Sequence, residues 1–189
     1  MVFPRLETSR LILIPVKDFK GKECINLIND LTQLLNNKNI YKLTFNIPSP
    51  YMASDAKKFV SDAPEKYKKR GTRHYSIFTK DNKQLIGGIA ISYNKSDKNG
   101  EIAYWIGENF WSKGYCSEAV EEIIFQAFTN WEYNRIFAHY YLFNKASKKV
   151  MEKNGMKFEG VLREEKLKGE CYYDIGIYSI LKSEFKISD

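Results

Sequence analysis

The segment Glu101-Ile102-Ala103-Tyr104-Trp105-Ile106-Gly107, followed by Trp111-Ser112-Lys113-Gly114-Tyr115-Cys116-Ser117-Glu118-Ala119, constrains this chain more than any other. It reads as a strand opened by an acid, a short loop holding a glycine, and a helix start. A junction of that kind turns unpaired backbone N–H groups and the positive end of a helix dipole toward one point. A phosphorylated ligand fits there. The loop is not a Walker P-loop, because Lys113 precedes Gly114 and no G-x-x-x-x-G-K-[ST] spacing occurs. No G-x-G-x-x-G fingerprint occurs either.

The rest of the chain supplies the surroundings of that junction. Thr8 to Ile14 predicts a first strand, stopped by Pro15. From Lys17 to about Asn36, apolar residues at Cys24, Leu27, Ile28, Leu31, Leu34 and Leu35 predict a helix, broken by Asn36-Asn37-Lys38-Asn39. Ser54 or Asp55 caps a second helix through Lys69, with Pro64 a potential break in its middle. Strands follow at His74 to Thr79, Leu85 to Tyr93 and Glu101 to Ile106. The helix Ser117 to Trp131 places Ala119, Val120, Ile123, Ile124, Ala127, Phe128 and Trp131 on one face. Arg135 to Leu142 predicts a strand, Ser147 to Lys153 a short helix ended by Asn154-Gly155, and Met156 to about Glu165 and Cys171 to Leu181 a closing hairpin. The fold class is α+β: a mixed, mostly antiparallel sheet of about seven strands with helices on both faces, over residues 1–189 as one domain.

Composition narrows the class of function. Apolar content of 43% suits a globular chain, and no apolar run approaches the ~18 residues of a membrane helix. The opening Met1-Val2-Phe3-Pro4-Arg5-Leu6-Glu7 lacks the layout of a secretion signal, which makes the cytoplasm the expected address. Cys24, Cys116 and Cys171 form no Cys-x-x-Cys, and His74 and His139 are too few and too far apart in sequence for a metal site. The net charge of +7 favours anionic partners, a phosphorylated cofactor among them. It is too common among soluble enzymes to indicate a nucleic-acid partner.

These residues together resemble the GNAT family of N-acetyltransferases, in particular its RimJ/RimL-like branch acting on the N-termini of ribosomal proteins. The resemblance spans nearly the whole chain: Leu6-x-Thr8-x-Arg10-Leu11-x-Leu13, Glu101-x-x-Tyr104-Trp105-Ile106, Lys113-Gly114-Tyr115 with Glu118-Ala119, and Asn134-Arg135-Ile136. It continues through Asn144-x-x-Ser147, Lys153-Asn154-Gly155, Glu159-Gly160-Val161-Leu162-Arg163 and Asp174. The resemblance implies a GNAT-like fold and acetyl-CoA as cosubstrate, without a metal. It also implies direct attack of a primary amine on the acetyl thioester, with no covalent acyl-enzyme.

Carried over residue by residue, the resemblance assigns the coenzyme A diphosphate to the backbone of Trp111, Ser112, Lys113, Gly114, Tyr115, Cys116 and Ser117. The strand Tyr104, Trp105 and Ile106, with Asn144 and Lys149, completes the expected cofactor contacts. Trp111 and Cys116 depart from the family pattern Arg/Gln-x-x-Gly-x-Gly/Ala at its first and last positions. Glu101 matches the acid that holds or deprotonates the amine, and an acid is suited to that work where the fold buries it. Glu165 is a second candidate base, and an exposed hairpin charge is its alternative. Ser147 either caps the helix that follows or protonates the departing thiolate. Met151 stands where many relatives carry a tyrosine acid. A thiol nucleophile at Cys116 finds no partner signalled in sequence, and His139 reads as an ordinary strand residue.

The expected function is transfer of acetyl to the α-amine of a protein N-terminus, whose pKa of about 8 asks little of a base. The alternatives are a small-molecule amine acetyltransferase (antibiotic or polyamine) and a non-catalytic coenzyme A- or ribosome-binding protein on the same fold. Expected partners are therefore acetyl-CoA and a protein or small amine acceptor, with no membrane and with nucleic acid met only indirectly, through ribosomes; the fold also allows a homodimer.

Overall fold

The computed structural model describes residues 3–186; Met1, Val2 and the last three residues lie outside that range, and with them the very start of the opening segment. Among the described residues eight strands form one sheet: β1 (Leu6–Glu7), β2 (Leu11–Pro15), β3 (Arg73–Thr79), β4 (Leu85–Ile91), β5 (Asn99–Ile106), β6 (Arg135–Tyr141), β7 (Lys157–Lys168) and β8 (Cys171–Leu181). Their spatial order is β1-β2-β3-β4-β5-β6-β8-β7. Every neighbouring pair is antiparallel except β5 and β6, which run parallel. A parallel pair needs a crossover, and α4 (Tyr115–Thr129) supplies it.

The two faces have separate cores. On β6, buried Ile136, Ala138 and Tyr140 alternate with half-buried Arg135, Phe137 and His139, the period of two expected of a strand. The buried set packs with Ala119, Val120, Ile123, Ile124, Ala127 and Phe128 of α4. Helices α1 (Gly21–Leu35) and α3 (Ala53–Arg70) cover the other face through Leu27, Leu31, Leu35, Val60 and Ala63. No helix among the described residues is long and apolar enough to cross a membrane.

Several boundaries differ from the sequence reading, each for a local reason. The first predicted strand, Thr8 to Ile14, begins only at Leu11 and runs through Pro15 as β2, with the unpredicted β1 before it, because Thr8 turns the chain by accepting the Leu11 N–H on its hydroxyl (3.0 Å). Asn37, read as a breaker, instead caps α2 (Lys38–Leu43), its side-chain oxygen accepting from Asn39 N–H and Ile40 N–H at 2.8 and 3.1 Å. Pro64 does not interrupt α3, whose Ala56, Val60 and Ala63 are held by packing that outweighs one lost helical hydrogen bond. That helix is capped at Met52, and Asp55 acts from the third helical position by accepting the Met52 N–H (2.8 Å).

The strand β5 is tightly fitted at its start. A Cβ on Gly100 would stand 2.0 Å from the Ser92 carbonyl oxygen and 2.6 Å from the Tyr133 ring. The Tyr133 hydroxyl itself donates to that carbonyl at 2.7 Å. Gly100→Ala is therefore expected to destabilise the fold by about 1–3 kcal/mol, the scale of overpacking. Calorimetry should register this as a melting temperature lowered by several degrees.

Candidate active site

The parallel pairing of β5 with β6 runs from Asn99↔Arg135 through Glu101↔Phe137 and then stops. Beyond it, Ile102–Ile106 keep β4 as a neighbour and residues 138–141 of β6 keep β8. The two strands thus part just past Glu101. Five residues of β5 present their β6-side edge unpaired over roughly 16 Å, at about 3.3 Å per residue. An extended chain with amide groups can occupy such an opening by completing the ladder.

The predicted phosphate loop lies at the mouth of this split, where β5 ends and α4 begins. Ser112 (φ 60°) and Gly114 (φ 80°) both take left-handed conformations, which turn the loop sharply into the helix. The Glu118 N–H is the first to find a helical carbonyl, that of Gly114 (3.1 Å). The N–H groups of Tyr115, Cys116 and Ser117 therefore precede the ladder and remain available for an anion. A hollow beside them is lined by Arg10, Gly114, Ser117, Lys153, Glu118 and Glu121.

The loop is held by the opening segment of the chain. Glu118 accepts from the Thr8 hydroxyl (2.6 Å), the Ser9 hydroxyl (2.9 Å), the Arg10 N–H (2.8 Å) and Arg10 Nε (2.7 Å). Arg10 Nη1 also donates to the Lys113 carbonyl at 3.0 Å, and its guanidinium covers the Tyr115 ring. Burial pushes the Glu118 carboxyl up, but these hydrogen bonds outweigh burial and hold it below its ordinary 4.5. A carboxylate depressed in the fold stabilises it above the unfolded value, and that contribution is lost as pH falls through the folded one. The clasp is thus intact at neutral pH and loosens in acid, below the ordinary 4.5. Glu118→Ala is expected to weaken coenzyme A binding about three- to tenfold, on the scale of one charge-assisted hydrogen bond. Calorimetric titration would measure it.

Other predicted residues fall in three groups. Glu101 sits where the strands part, its side chain 41% exposed rather than buried, with Oε1 2.8 Å from His139 Nδ1. Tyr104 points to the α4 face, its hydroxyl 3.0 Å from Ser147 Oγ. Burial first, then the nearby Cys116, push the Tyr104 hydroxyl well above its ordinary range, with Ser147 opposing, so it stays protonated. Burial pushes the Cys116 thiol up to about 12, which keeps it a neutral thiol rather than a nucleophile. Trp111 donates its indole N–H to the Ile106 carbonyl (2.6 Å), and Trp105 lies against Gly88 on the α1 side, so both side chains serve packing.

The helix α5 (Lys145–Lys153) is capped by Asn144, whose Oδ1 accepts the Ser147 N–H (3.1 Å). This corrects the capping alternative for Ser147, which leaves its hydroxyl to Tyr104. Asn144 also donates to the Leu43 carbonyl (3.3 Å), and a primary amide retains a further donor and acceptor site. Met151 is fully buried core. Lys149 is exposed on α5. Glu165 is not brought to Glu101: it lies exposed in a bulged part of β7, with β8 and β6 between that strand and β5.

His139 is the residue that sequence reasoning missed. It shares a sheet face with Phe137, two positions before it, and therefore with Glu101 across the parallel pair. A lone histidine in the largely aromatic run Phe137-Ala138-His139-Tyr140-Tyr141 was the available signal, but only the register gives it a partner. Among the described residues no group of three or more His, Cys, Asp or Glu could hold a metal ion.

Comparison with known proteins agrees with this geometry. Residues 24–157 match the family described as "Acetyltransferase (GNAT) domain". The uncharacterized N-acetyltransferase YoaA of Bacillus subtilis is 30% identical over 184 residues, 96% of this chain and 98% of that protein. A ribosomal-protein-serine acetyltransferase of Escherichia coli is 27% identical over 159 residues, 82% of this chain and 87% of the relative. The structure of RimL, a ribosomal L7/L12 α-N-protein acetyltransferase in complex with coenzyme A, superposes with a TM-score of 0.80 at 18% identity, covering 92% of this chain and 95% of that one. The split sheet with a helix N-terminus at its mouth thus has a settled reading: this chain belongs to the GNAT family of N-acetyltransferases, which move an acetyl group from acetyl-CoA to an amine.

Proposed function

We propose that this enzyme acetylates the N-terminal α-amine of a protein, of the ribosomal class acted on by its Escherichia coli relative. The observation that carries this reading is the openness of the face beside Glu101. Its side chain is 41% exposed and the neighbouring Ala103 is exposed, so a chain end can approach where a closed cage would admit only a small molecule.

The residues divide the work as follows. The N–H groups of Tyr115, Cys116 and Ser117 hold the diphosphate of acetyl-CoA, with Lys113 adding charge. The unpaired edge of Tyr104–Ile106 holds its amide arm, with Asn144 on the opposite side. Acetyl-CoA supplies a thioester whose C–S bond breaks as the new C–N bond forms. Glu101 lies at the amine and belongs to the group that removes its proton. Ser147, backed by the protonated Tyr104 hydroxyl, donates to the departing sulfur.

The test is a thiol-release assay with acetyl-CoA and a panel of unblocked peptides, antibiotics and polyamines. The expected result is turnover on peptides with a free α-amine and none on the same peptides once blocked. Turnover confined to polyamines or antibiotics would contradict the acceptor assignment.

A further inference from the structure

Glu101 and His139 face each other where β5 and β6 part, with Nδ1 and Oε1 at 2.8 Å. An ionised carboxylate only accepts, so Nδ1 carries the proton of this contact. In the neutral imidazole that leaves Nε2 with a bare lone pair. Nε2 makes no hydrogen bond among the described residues, and unlike Nε2 of His74 it is not sealed from solvent. The His139 side chain is 24% exposed, on the same open face as Glu101.

Its neighbours leave it this role. The ring of Phe137 stands edge-on at 5.5 Å between centroids and shields one side. Across the sheet, β8 presents Ile177. Farther along that face of β6, Arg135 is held by both oxygens of Glu159, at 2.8 and 2.7 Å. Glu101 is the carboxylate that meets His139.

We propose that His139 is the proton acceptor of the reaction and that Glu101 acts through it, fixing the tautomer and pairing with the imidazolium that forms. This rests on the acetyltransfer function proposed above and deepens the part given there to Glu101. The incoming ammonium gives one proton to Nε2, and the amine lone pair then forms the C–N bond as the C–S bond breaks. The second proton leaves that nitrogen through water and restores to Ser147 Oγ the proton it delivers to the departing sulfur. The imidazolium returns its proton to water, so each turnover releases one proton and one free thiol.

His139→Asn tests this directly, because its amide nitrogen replaces Nδ1 as donor to Glu101 while nothing replaces Nε2. The expected loss in kcat/KM is about 100-fold or more, the scale of general-base catalysis. The acid-side limb of the pH profile should disappear, with coenzyme A affinity held within about twofold, below the scale of one hydrogen bond. A second readout needs no turnover: 15N-histidine NMR of the ligand-free protein should show His139 protonated at Nδ1, and Glu101→Ala should abolish that preference. Wild-type transfer with an unimpaired His139→Asn, or a neutral imidazole protonated at Nε2, would overturn the proton-acceptor role alone. A wild-type chain that binds coenzyme A but acetylates no amine would overturn the function beneath it.

Discussion

Glu101→Gln lowers kcat/KM for amine acetylation by about two to four orders of magnitude, the range in which a positioned acid or base contributes. The carboxylate lies at the last position where β5 pairs with β6, held there by its backbone: the Ser92 N–H donates to the Glu101 carbonyl at 2.9 Å, and the Glu101 N–H donates to Ser92 Oγ at 2.8 Å. Glutamine keeps this backbone and the size of the side chain, so the loss reports charge rather than shape. It removes the negative charge that draws a cationic amine and stabilises a protonated partner at 2.8 Å. The pH profile of kcat/KM should change with it. Coenzyme A affinity should not, since the phosphate loop lies at the opposite end of β5. Initial rates of thiol release check the first part and calorimetric titration the second. An unaltered rate and pH profile would remove Glu101 from proton transfer.

Gly114→Val produces the second large effect, on binding rather than chemistry. Gly114 holds φ 80° and ψ −1° as the residue before α4, a conformation that a β-branched side chain strongly resists. Its Cβ would come to 3.4 Å from Arg10 Nη2, an ordinary contact, so the backbone conformation rather than a clash carries the cost. The loop must turn another way, and the N–H groups of Tyr115, Cys116 and Ser117 no longer converge. The dissociation constant for coenzyme A is expected to rise about 10- to 100-fold, or roughly 1.4–2.8 kcal/mol. Unchanged affinity in a folded variant, judged by circular dichroism, would show that the nucleotide does not use this turn.

The elements legible in sequence were those whose hydrophobic period is long or whose ends carry their own signal. The helix α4 announces itself by Ala119, Val120, Ile123, Ile124, Ala127 and Phe128, and it begins two residues before the predicted Ser117 because Gly114 sets its turn. The final strand, Cys171–Leu181, stands as predicted, since the turn at Lys168-Gly169 precedes it. The helix α2 was illegible: it has six residues, and its cap Asn37 looks the same in a loop as at a helix start. The eighth strand arises the same way, from a turn at Thr8 that composition does not mark.

The candidate site was legible where it is local and hidden where it depends on register. Gly114 and the helix start after it are contiguous, so spacing exposes them. The Glu118 clasp joins residues 108 positions apart, and its members were noticed only as separate motifs. Tyr104 and Ser147 meet across 43 positions, through the placement of α5 against the end of β5. Glu101 and His139 meet because two parallel strands pair for three residues and then separate, which no window along the sequence contains. Glu165 shows the converse. A plausible acid by position along the chain, it is carried away from the reacting end by the strand order β5-β6-β8-β7.

The most direct test is a crystal structure of the protein with coenzyme A. The diphosphate should lie against the N–H groups of Tyr115, Cys116 and Ser117, and the pantetheine arm should enter between β5 and β6 with its sulfur near Ser147. Density placing the nucleotide away from that loop, or leaving the opening beyond Glu101 unfilled, would contradict the account.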